Sequence, residues 1–472
     1  MDHQGNEVRM KPILFLLSLL ASFSLAQPPE RLRVSSLGHY LVTQSGKPFF
    51  MLADTNLGLV NLMTRAHVSE YLQDRKEKGF NTVQTSILIS GVVPNPEGVY
   101  PFEFLKPDAP TPNEKGYDFS RPIEAYWKHL DFVVQETNRL GLYVGLVVAW
   151  NNHLGGPNGP AVPLAWTEAR AKTYGQMLAR RYANARVIWI LGGDDRFDLE
   201  SPSKGSDRAA WWAAMAQGIK EATSFALISF LPSGGLSSSD VLGNTPWLSF
   251  HGQQSGNVEG EFNSLIAKDY ARTPAKPVVD LQPLFEDNPF WDTKKGGWTN
   301  KRPSEAEVRR IHYWNAFSGA AGTVFGNLGV AFYHTDAANL YPGGPSMTWQ
   351  EGLGAPGAAQ MGHLARLMNS RPFTEARPDT GIIQDSKGSS ATAVTALVAP
   401  SFAFIYLPNP RSVRVDASRF GPTKAWWFNP KNGQALSIGE IAGIATIAAA
   451  GFGPDAVLVL DQASKNYPAP GQ

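Results

Sequence analysis

Two stretches of this chain run apolar residues straight into carboxylates. In Val187-Ile188-Trp189-Ile190-Leu191-Gly192-Gly193-Asp194-Asp195-Arg196 a strand-like run ends on two glycines and two acids. In Lys276-Pro277-Val278-Val279-Asp280-Leu281-Gln282-Pro283-Leu284-Phe285-Glu286-Asp287 a second run ends in a cluster of acids. An acid held at the carboxyl end of a buried strand can exchange a proton with a bound substrate, and glycines beside it let backbone or ligand approach closely. Two carboxyl groups on either side of a glycosidic bond suffice to hydrolyse it: one protonates the leaving oxygen, the other acts as nucleophile or activates water. Asp194 and Glu286 are the residues expected to fill these roles, whereas Asp195 and Asp287 suit a helix cap or an ion pair as well. Asp54, in Leu52-Ala53-Asp54-Thr55-Asn56, is a third strand-end acid, expected to bond sugar hydroxyls. Trp150-Asn151-Asn152-His153 and His251-Gly252-Gln253-Gln254-Ser255 supply neutral groups, of which Trp150, Asn151, His251 and Gln253 are the expected sugar contacts.

These residues need a scaffold that brings strand ends together. Between about residues 49 and 335, apolar runs of strand length alternate with stretches of helical period, the pattern of parallel strands joined by crossover helices. Eight runs are expected as strands: Phe49–Asp54, Asn81–Leu88, Leu142–Ala149, Val187–Leu191, Ala226–Phe230, Trp247–Phe250, Pro277–Gln282 and Gly322–Gly326. Between them, Thr64 can cap a helix that Gly79 ends. The segment from Ile123 to Leu140 keeps the three-to-four spacing of a helix on a sheet, and Ser304 with Glu307 forms a capping-box pair. Eight strands alternating with helices predict an α/β fold, a (β/α)8 barrel over residues 33–370, with clusters after the fourth and seventh strands facing each other across its mouth. Long polar insertions at 91–121 and 151–163 fall where barrel enzymes keep substrate loops. After one more helix, Ala358 to Ser370, short β-like runs punctuated by Pro408-Asn409, Pro430 and Asn432-Gly433 predict a small antiparallel β-sandwich over residues 380–465.

Composition narrows the function. The 42 basic and 41 acidic residues nearly cancel, so neither a nucleic-acid footprint nor a polybasic membrane patch is expected. The chain has no cysteine, which excludes disulfides, thiolate metal sites and a cysteine nucleophile. With 9 histidines and no HExxH spacing no metal is called for, and no Gly-rich nucleotide fingerprint or GxSxG elbow is present, so no cofactor is expected. The 13 Trp and 14 Tyr suit stacking on sugars as well as filling a large core. Residues 10–26, MKPILFLLSLLASFSLA, place Lys11 before an apolar run that ends in Ser24-Leu25-Ala26. They read as a secretory signal peptide behind an upstream start, with residues 1–26 removed and a secreted or periplasmic product lacking a membrane anchor.

Ala53-Asp54-Thr55-Asn56, the run RKEKGFNTVQ from Arg75 to Gln84, WILGGD from Trp189 to Asp194, Gln253-Gln254-Ser255-Gly256, and Pro283 to Glu286 together resemble the apiosidase-like glycoside hydrolases over about residues 33–370. The tail, with Ala425-Trp426-Trp427-Phe428-Asn429-Pro430 and Val457-Leu458-Val459-Leu460-Asp461, resembles the collagen-binding-type β-sandwich that commonly follows such barrels. The resemblance implies a barrel that cleaves glycosidic bonds in plant cell-wall or related glycans, an apiose-containing pectic side chain among them, with Asp194 as acid/base. The family pattern Gly-Glu-Pro-x-Tyr-Glu after the seventh strand here reads Leu281-Gln282-Pro283-Leu284-Phe285-Glu286, so Gln282 replaces the first glutamate. Glutamine cannot ionise, which leaves Glu286 as the expected partner carboxylate and Gln282 as a substrate contact. Asn327, after Gly326, stands where the pattern implies a histidine and is a further expected contact. A catalytically impaired glycan-binding protein is the alternative to a hydrolase, and adhesion through the sandwich is a third role.

Overall fold

The structure, a computed structural model, describes Met1 and residues 30–154, 166–197, 202–259, 265–336 and 343–472. Apart from Met1, the segment 1–26 expected to be a signal peptide lies outside the described residues. Seven of the eight expected strands form, and the sixth is displaced: it follows the expected run Trp247–Phe250 instead of coinciding with it. The barrel strands are β1 (Met51–Thr55), β2 (Thr82–Ser86), β3 (Tyr143–Val147), β4 (Val187–Asp195), β5 (Leu227–Pro232), β6 (His251–Gln254), β7 (Val278–Asp280) and β8 (Gly322–Phe325). Their order in the sheet is β5-β4-β3-β2-β1-β8-β7-β6, all pairings parallel.

The sheet is a nearly closed barrel. Its seam lies between β5 and β6, where Leu236–Ser237 pairs antiparallel with Gln253 and Gln254 as a ninth strand. Below that insertion Ser249 N–H donates to the Ile228 carbonyl at 2.8 Å and Ser229 Oγ to the Phe250 carbonyl at 3.1 Å. Gly252 makes this approach possible, since a Cβ there would stand 2.2 Å from the Phe230 carbonyl oxygen. The sixth strand begins at His251 rather than Trp247, because residues 247–250 approach β5 without entering a ladder.

Helices cover the outside: α1 (Arg65–Glu77), α2 (Glu124–Arg139), α3 (Glu168–Arg181), α4 (Pro202–Ala222), α5 (Leu265–Tyr270), α6 (Glu305–Phe317) and α7 (Pro356–Asn369). Their ends follow local chemistry. Thr64 Oγ1 accepts from His67 N–H at the start of α1, and Ser304 with Glu307 closes a complete capping box on α6. On α2 the residues at three-to-four spacing, Tyr126, Trp127, Leu130, Val133, Val134 and Thr137, are all buried, with His129 and Asn138 beside them. Among the described residues no helix is long and apolar enough to cross a membrane.

The C-terminal domain opens with Arg377–Pro378, which pairs with β9 (Thr395–Val398). It continues with β10 (Phe402–Leu407), β11 (Val413–Asp416), β12 (Thr423–Phe428), β13 (Ala435–Ile441), β14 (Ile444–Ile447) and β15 (Ala456–Gln462). Six strands form one antiparallel sheet, and β11 with β14 forms a second layer. Alternate residues of the central strands serve two cores. Ile405, Leu458 and Leu460 pack inside the sandwich, while Phe404, Tyr406, Val457 and Val459 join the barrel core beside Tyr313, Trp314 and Phe317 of α6.

Buried ion pairs cross the same boundary. Arg309 on α6 holds Asp455 through Nε at 2.9 Å and a second nitrogen at 2.5 Å, with Tyr406 donating to the same carboxylate at 3.0 Å. Arg371 holds Asp461 through two bonds of 2.7 Å. Asp455→Ala leaves Arg309 buried and uncompensated, so it is expected to cost about 3–5 kcal/mol. Because the core is continuous, urea unfolding followed by far-UV dichroism and tryptophan fluorescence should remain one coincident transition. Two separated transitions in the parent would show that the domains fold independently.

Candidate active site

The carboxyl ends of the barrel strands enclose two adjoining hollows of about 300 and 590 Å³ that share Ser90, Trp150, Asp194 and Gln254. The smaller is walled by Leu57, Ile89, Phe285, Trp298 and Phe332, with Asn257, Gln282 and Asn288 among its polar members. The larger is polar and includes Asn151, Asn152, Arg196 and Ser233. Asp194 belongs to both and is the only carboxylic acid among the described residues lining either.

The end of β4 explains how Asp194 gets there. Gly192, Gly193 and Asp194 all take positive φ, at 100°, 84° and 59°, and the β4–β5 register slips between Leu231 and Pro232. A Cβ on Gly193 would meet Trp150 at 2.9–3.0 Å, so the indole packs flush against the strand. The Asp194 carbonyl accepts from Asn151 Nδ2 at 2.6 Å and from Ser233 Oγ at 2.5 Å. Asp195 turns the opposite way, into a cage of Arg208, Trp212 Nε1 at 2.9 Å and Phe197 N–H at 2.9 Å. Asp195 is therefore structural, and Asp194 is free to meet a ligand.

Burial pushes the Asp194 carboxyl up to about 6, with a hydrogen bond from the Gln254 side chain acting in the opposite direction. Its Oδ1 is buried with no hydrogen-bond partner among the described residues, as are Gln254 Oε1, Asn257 Oδ1 and Gln282 Oε1. The cleft thus presents one acid that protonates in the weakly acidic range and three amide oxygens able to accept from hydroxyl groups.

Of the residues expected from sequence, Asp194, Trp150, Asn151 and Gln282 line this space. The others point elsewhere and are corrected here. Asp54 faces outward onto α1, where its carboxylate accepts from Tyr71 Oη at 2.7 Å and pairs with Arg75 Nε at 3.1 Å. His251 and Gln253 also face outward, because inward positions on β6 are the alternate ones, Gly252 and Gln254. His251 Nδ1 lies 3.1 Å from Ser238 Oγ, burial depresses its pKa to about 4, and Gln253 Nε2 donates to Asp269 at 3.1 Å.

Asn327 is fully buried, donating to Glu286 Oε2 at 3.1 Å and capping the short helix Leu328–Ala331. Glu286 does not line the cleft. Its Oε1 accepts from Gly357 N–H at 3.0 Å, at the start of α7, whose cap residue Ala355 makes no side-chain bond. An anion at a helix N-terminus is a stabilising arrangement. The neighbouring Asp287 anchors Ser346 N–H at 2.7 Å and Arg302 at 3.1 Å. Asp280, the other acid of the cluster, faces α6 and accepts from Asn315 Nδ2 at 2.9 Å.

Gln254, Asn257, Phe285, Trp298 and Phe332 escaped the sequence reading. Gln254 shares the inward phase of β6 with Gly252, a phase that the polar strand His251–Gln254 does not reveal in sequence. Trp298 and Phe332 come from loops that no periodicity marks. Among the described residues no cluster of three or more His, Asp or Glu could hold a metal ion.

A parallel barrel whose mouth combines a buried, protonatable carboxyl with aromatic walls and amide oxygens defines a glycoside hydrolase. The chain belongs to the family described as "Apiosidase-like, catalytic domain", which matches residues 35–375. Residues 377–461 match a second family, "Putative collagen-binding domain of a collagenase". A glycoside hydrolase family 5 crystal structure from Bacteroides vulgatus is similar at 27% identity and a TM-score of 0.80, covering 94% of this chain and 95% of that one. A structure described as a glycoside hydrolase is similar at 27% identity and a TM-score of 0.79, covering 93% and 98%. A second Bacteroides vulgatus protein, at 14% identity and a TM-score of 0.65 over 92% and 82%, shares the fold. Comparison with curated proteins gives no match.

If Glu286 anchors α7 rather than reacting, Glu286→Gln is expected to reduce stability by about 1–3 kcal/mol. The new amide nitrogen would face the Asn327 donor. Turnover of a cleavable glycoside should stay within about fivefold of the parent. A folded variant that has lost a thousandfold or more in kcat would return Glu286 to the reaction.

Proposed function

We propose that this protein is exported and hydrolyses glycosidic bonds in side chains of plant cell-wall-type polysaccharides, with Asp194 as the proton donor. The observation that carries this reading is the Asp194 carboxyl, raised to about 6 and left without a partner on Oδ1 at the junction of two sugar-sized hollows. The protonated carboxyl gives its proton to the glycosidic oxygen as the bond from that oxygen to the anomeric carbon breaks. The positive charge on the sugar is met by the amide oxygens of Gln282, Gln254 and Asn257. Water adds to the anomeric carbon and loses a proton to the Asp194 carboxylate, which restores the acid. Trp150 and Asn151 support the sugar and hold the end of β4. The apolar run at residues 10–26 supports export, and the family supports the apiosidase-like substrate class.

The two-carboxylate form of the mechanism needs an acid opposite Asp194, and Glu286 is engaged at α7 instead. Gln282 occupies the cleft, which favours a second reading: a member of the family that binds glycans and turns them over poorly. An amide dipole stabilises a cationic transition state less than a carboxylate does.

Pectic, arabinan and xylan oligosaccharides assayed with the parent, Asp194→Asn and Gln282→Glu separate these readings. The hydrolase reading expects measurable parent turnover that falls at least a hundredfold in Asp194→Asn. Release of sugar by that variant at the parent rate would remove Asp194 from the mechanism. Turnover that emerges only in Gln282→Glu establishes the second reading. Because a donor must be protonated, kcat/KM of the parent should decline about tenfold per pH unit above pH 6.

A further inference from the structure

Trp291 and Trp298 meet across a two-stranded ribbon, Trp291–Asp292 antiparallel to Gly297–Trp298, carried by the loop after β7. Their rings stand edge to face with centroids 5.1 Å apart and planes at 81°. Both remain accessible, at 37% and 47% of their surface. Single exposed apolar residues are ordinary, whereas adjoining ones beside a cleft make a contiguous patch of the kind that lines ligand-binding grooves.

The ribbon is firmly placed. Trp291 N–H donates to the Asn257 carbonyl at 2.8 Å, Thr299 N–H to the Phe290 carbonyl at 2.8 Å, and Phe290 is buried in the barrel core. Trp298 lines the smaller hollow together with Asp194, Gln282 and Asn257, whose Oδ1 is buried and unpaired. The aromatic surface therefore begins at the reacting centre and continues outward through Trp291.

We propose that Trp298 and Trp291 form a platform for the sugar residues adjoining the one held at Asp194, so that the ligand is a saccharide chain rather than a small glycoside. This deepens the functional reading above and rests on it. An indole ring buries the C–H face of a sugar while the rim hydroxyls remain free to bond, and Asn257 Oδ1 is an acceptor within the same wall. With the ring planes nearly perpendicular, one flat sugar stacks on one ring only. The next residue of the chain, turned about its linkage, meets the other.

Calorimetric titration of the full-length Asp194→Asn protein with pectic, arabino- and xylo-oligosaccharides of one to six residues tests the platform without needing turnover. Affinity is expected to rise about five- to fiftyfold from the shortest to the longest chain that binds. Trp291→Ala in the same background should abolish that rise, Trp291→Tyr should keep part of it, and the shortest ligand should bind both variants as before. Length-independent affinity, a rise that survives Trp291→Ala, or a concentration-dependent dimer that Trp291→Ala dissolves would overturn the proposal. Length-dependent binding in a protein whose parent never hydrolyses these chains would keep the platform and end the hydrolase reading. Turnover with length-independent binding would do the reverse, and no binding by any chain counts against both.

Discussion

Two adjacent aspartates that must point in opposite directions set the geometry of this protein's mouth. Asp195 is drawn outward by Arg208, Trp212 and the Phe197 amide, and the backbone before it turns through three consecutive positive φ values to allow this. Glycine takes that conformation freely, whereas an aspartate there costs on the order of 1 kcal/mol. The cost is offset because the Asp194 carbonyl is held by Asn151 and Ser233, one from the segment after β3 and one from the segment after β5. Three consecutive strand ends are thus tied at one carbonyl, and the Asp194 carboxyl is aimed by this backbone anchorage together with the hydrogen bond from the Gln254 side chain.

The chemistry of the site follows from burial more than from charge. Asp54, Asp194 and Asp280 are each raised to about 6, in every case chiefly by removal from water. What differs is the company. Asp54 has Arg75 and Tyr71, and Asp280 has Ser255 and Asn315, whereas the Asp194 side chain has Gln254 and a buried oxygen with no hydrogen-bond partner among the described residues. A folded-state pKa above that of the unfolded chain means that folding takes up protons. The contribution is fully present below about pH 4 and lost as the pH rises through 6. At neutral pH each such group opposes folding, by roughly 3 kcal/mol at the upper limit for a shift of this size. A fold that retains this opposition at Asp194 preserves a proton donor at the expense of stability.

Seven strands were legible because an apolar run bounded by turn residues marks each; the sixth, His251-Gly252-Gln253-Gln254, is polar, and the apolar run Trp247–Phe250 marks a position four residues early. The α1 and α6 starts were legible because their caps are local. The side of each strand was harder to read. Asp54, His251 and Gln253 all stand at strand ends, and all three occupy the outward phase, where α1, α5 and the Ser237–Ser239 segment receive them. Period-two alternation would have exchanged His251 and Gln253 for Gly252 and Gln254, but these short strands offer too few apolar residues to fix the phase from sequence. Asp194 was legible for the opposite reason, since the long run from Val187 fixes its phase and the glycines mark the bend. The place of Glu286 beside α7 was not legible because the sequence pattern carries no information on where α7 begins in space. Only the fold shows that the N-terminus of α7 lacks a side-chain cap and that Glu286 lies beside it.

That placement gives the C-terminal domain a structural part in the site. Phe404, Tyr406 and Val459 of the sandwich share one core with Tyr313 and Phe317 of α6 and with Leu364 and Met368 of α7. Arg309 of α6 bonds both Asp455 in the sandwich and Gln360 on α7. The two helices then reach back to the segment after β7, α6 through Asn315 to Asp280 and α7 through Gly357 to Glu286. Between those two anchored acids lie Gln282 and Phe285, the members of the segment that face the cleft. Buried contacts at both ends of this seven-residue stretch leave its middle little freedom, so the sandwich acts on the site by fixing where an amide, rather than a carboxylate, confronts Asp194.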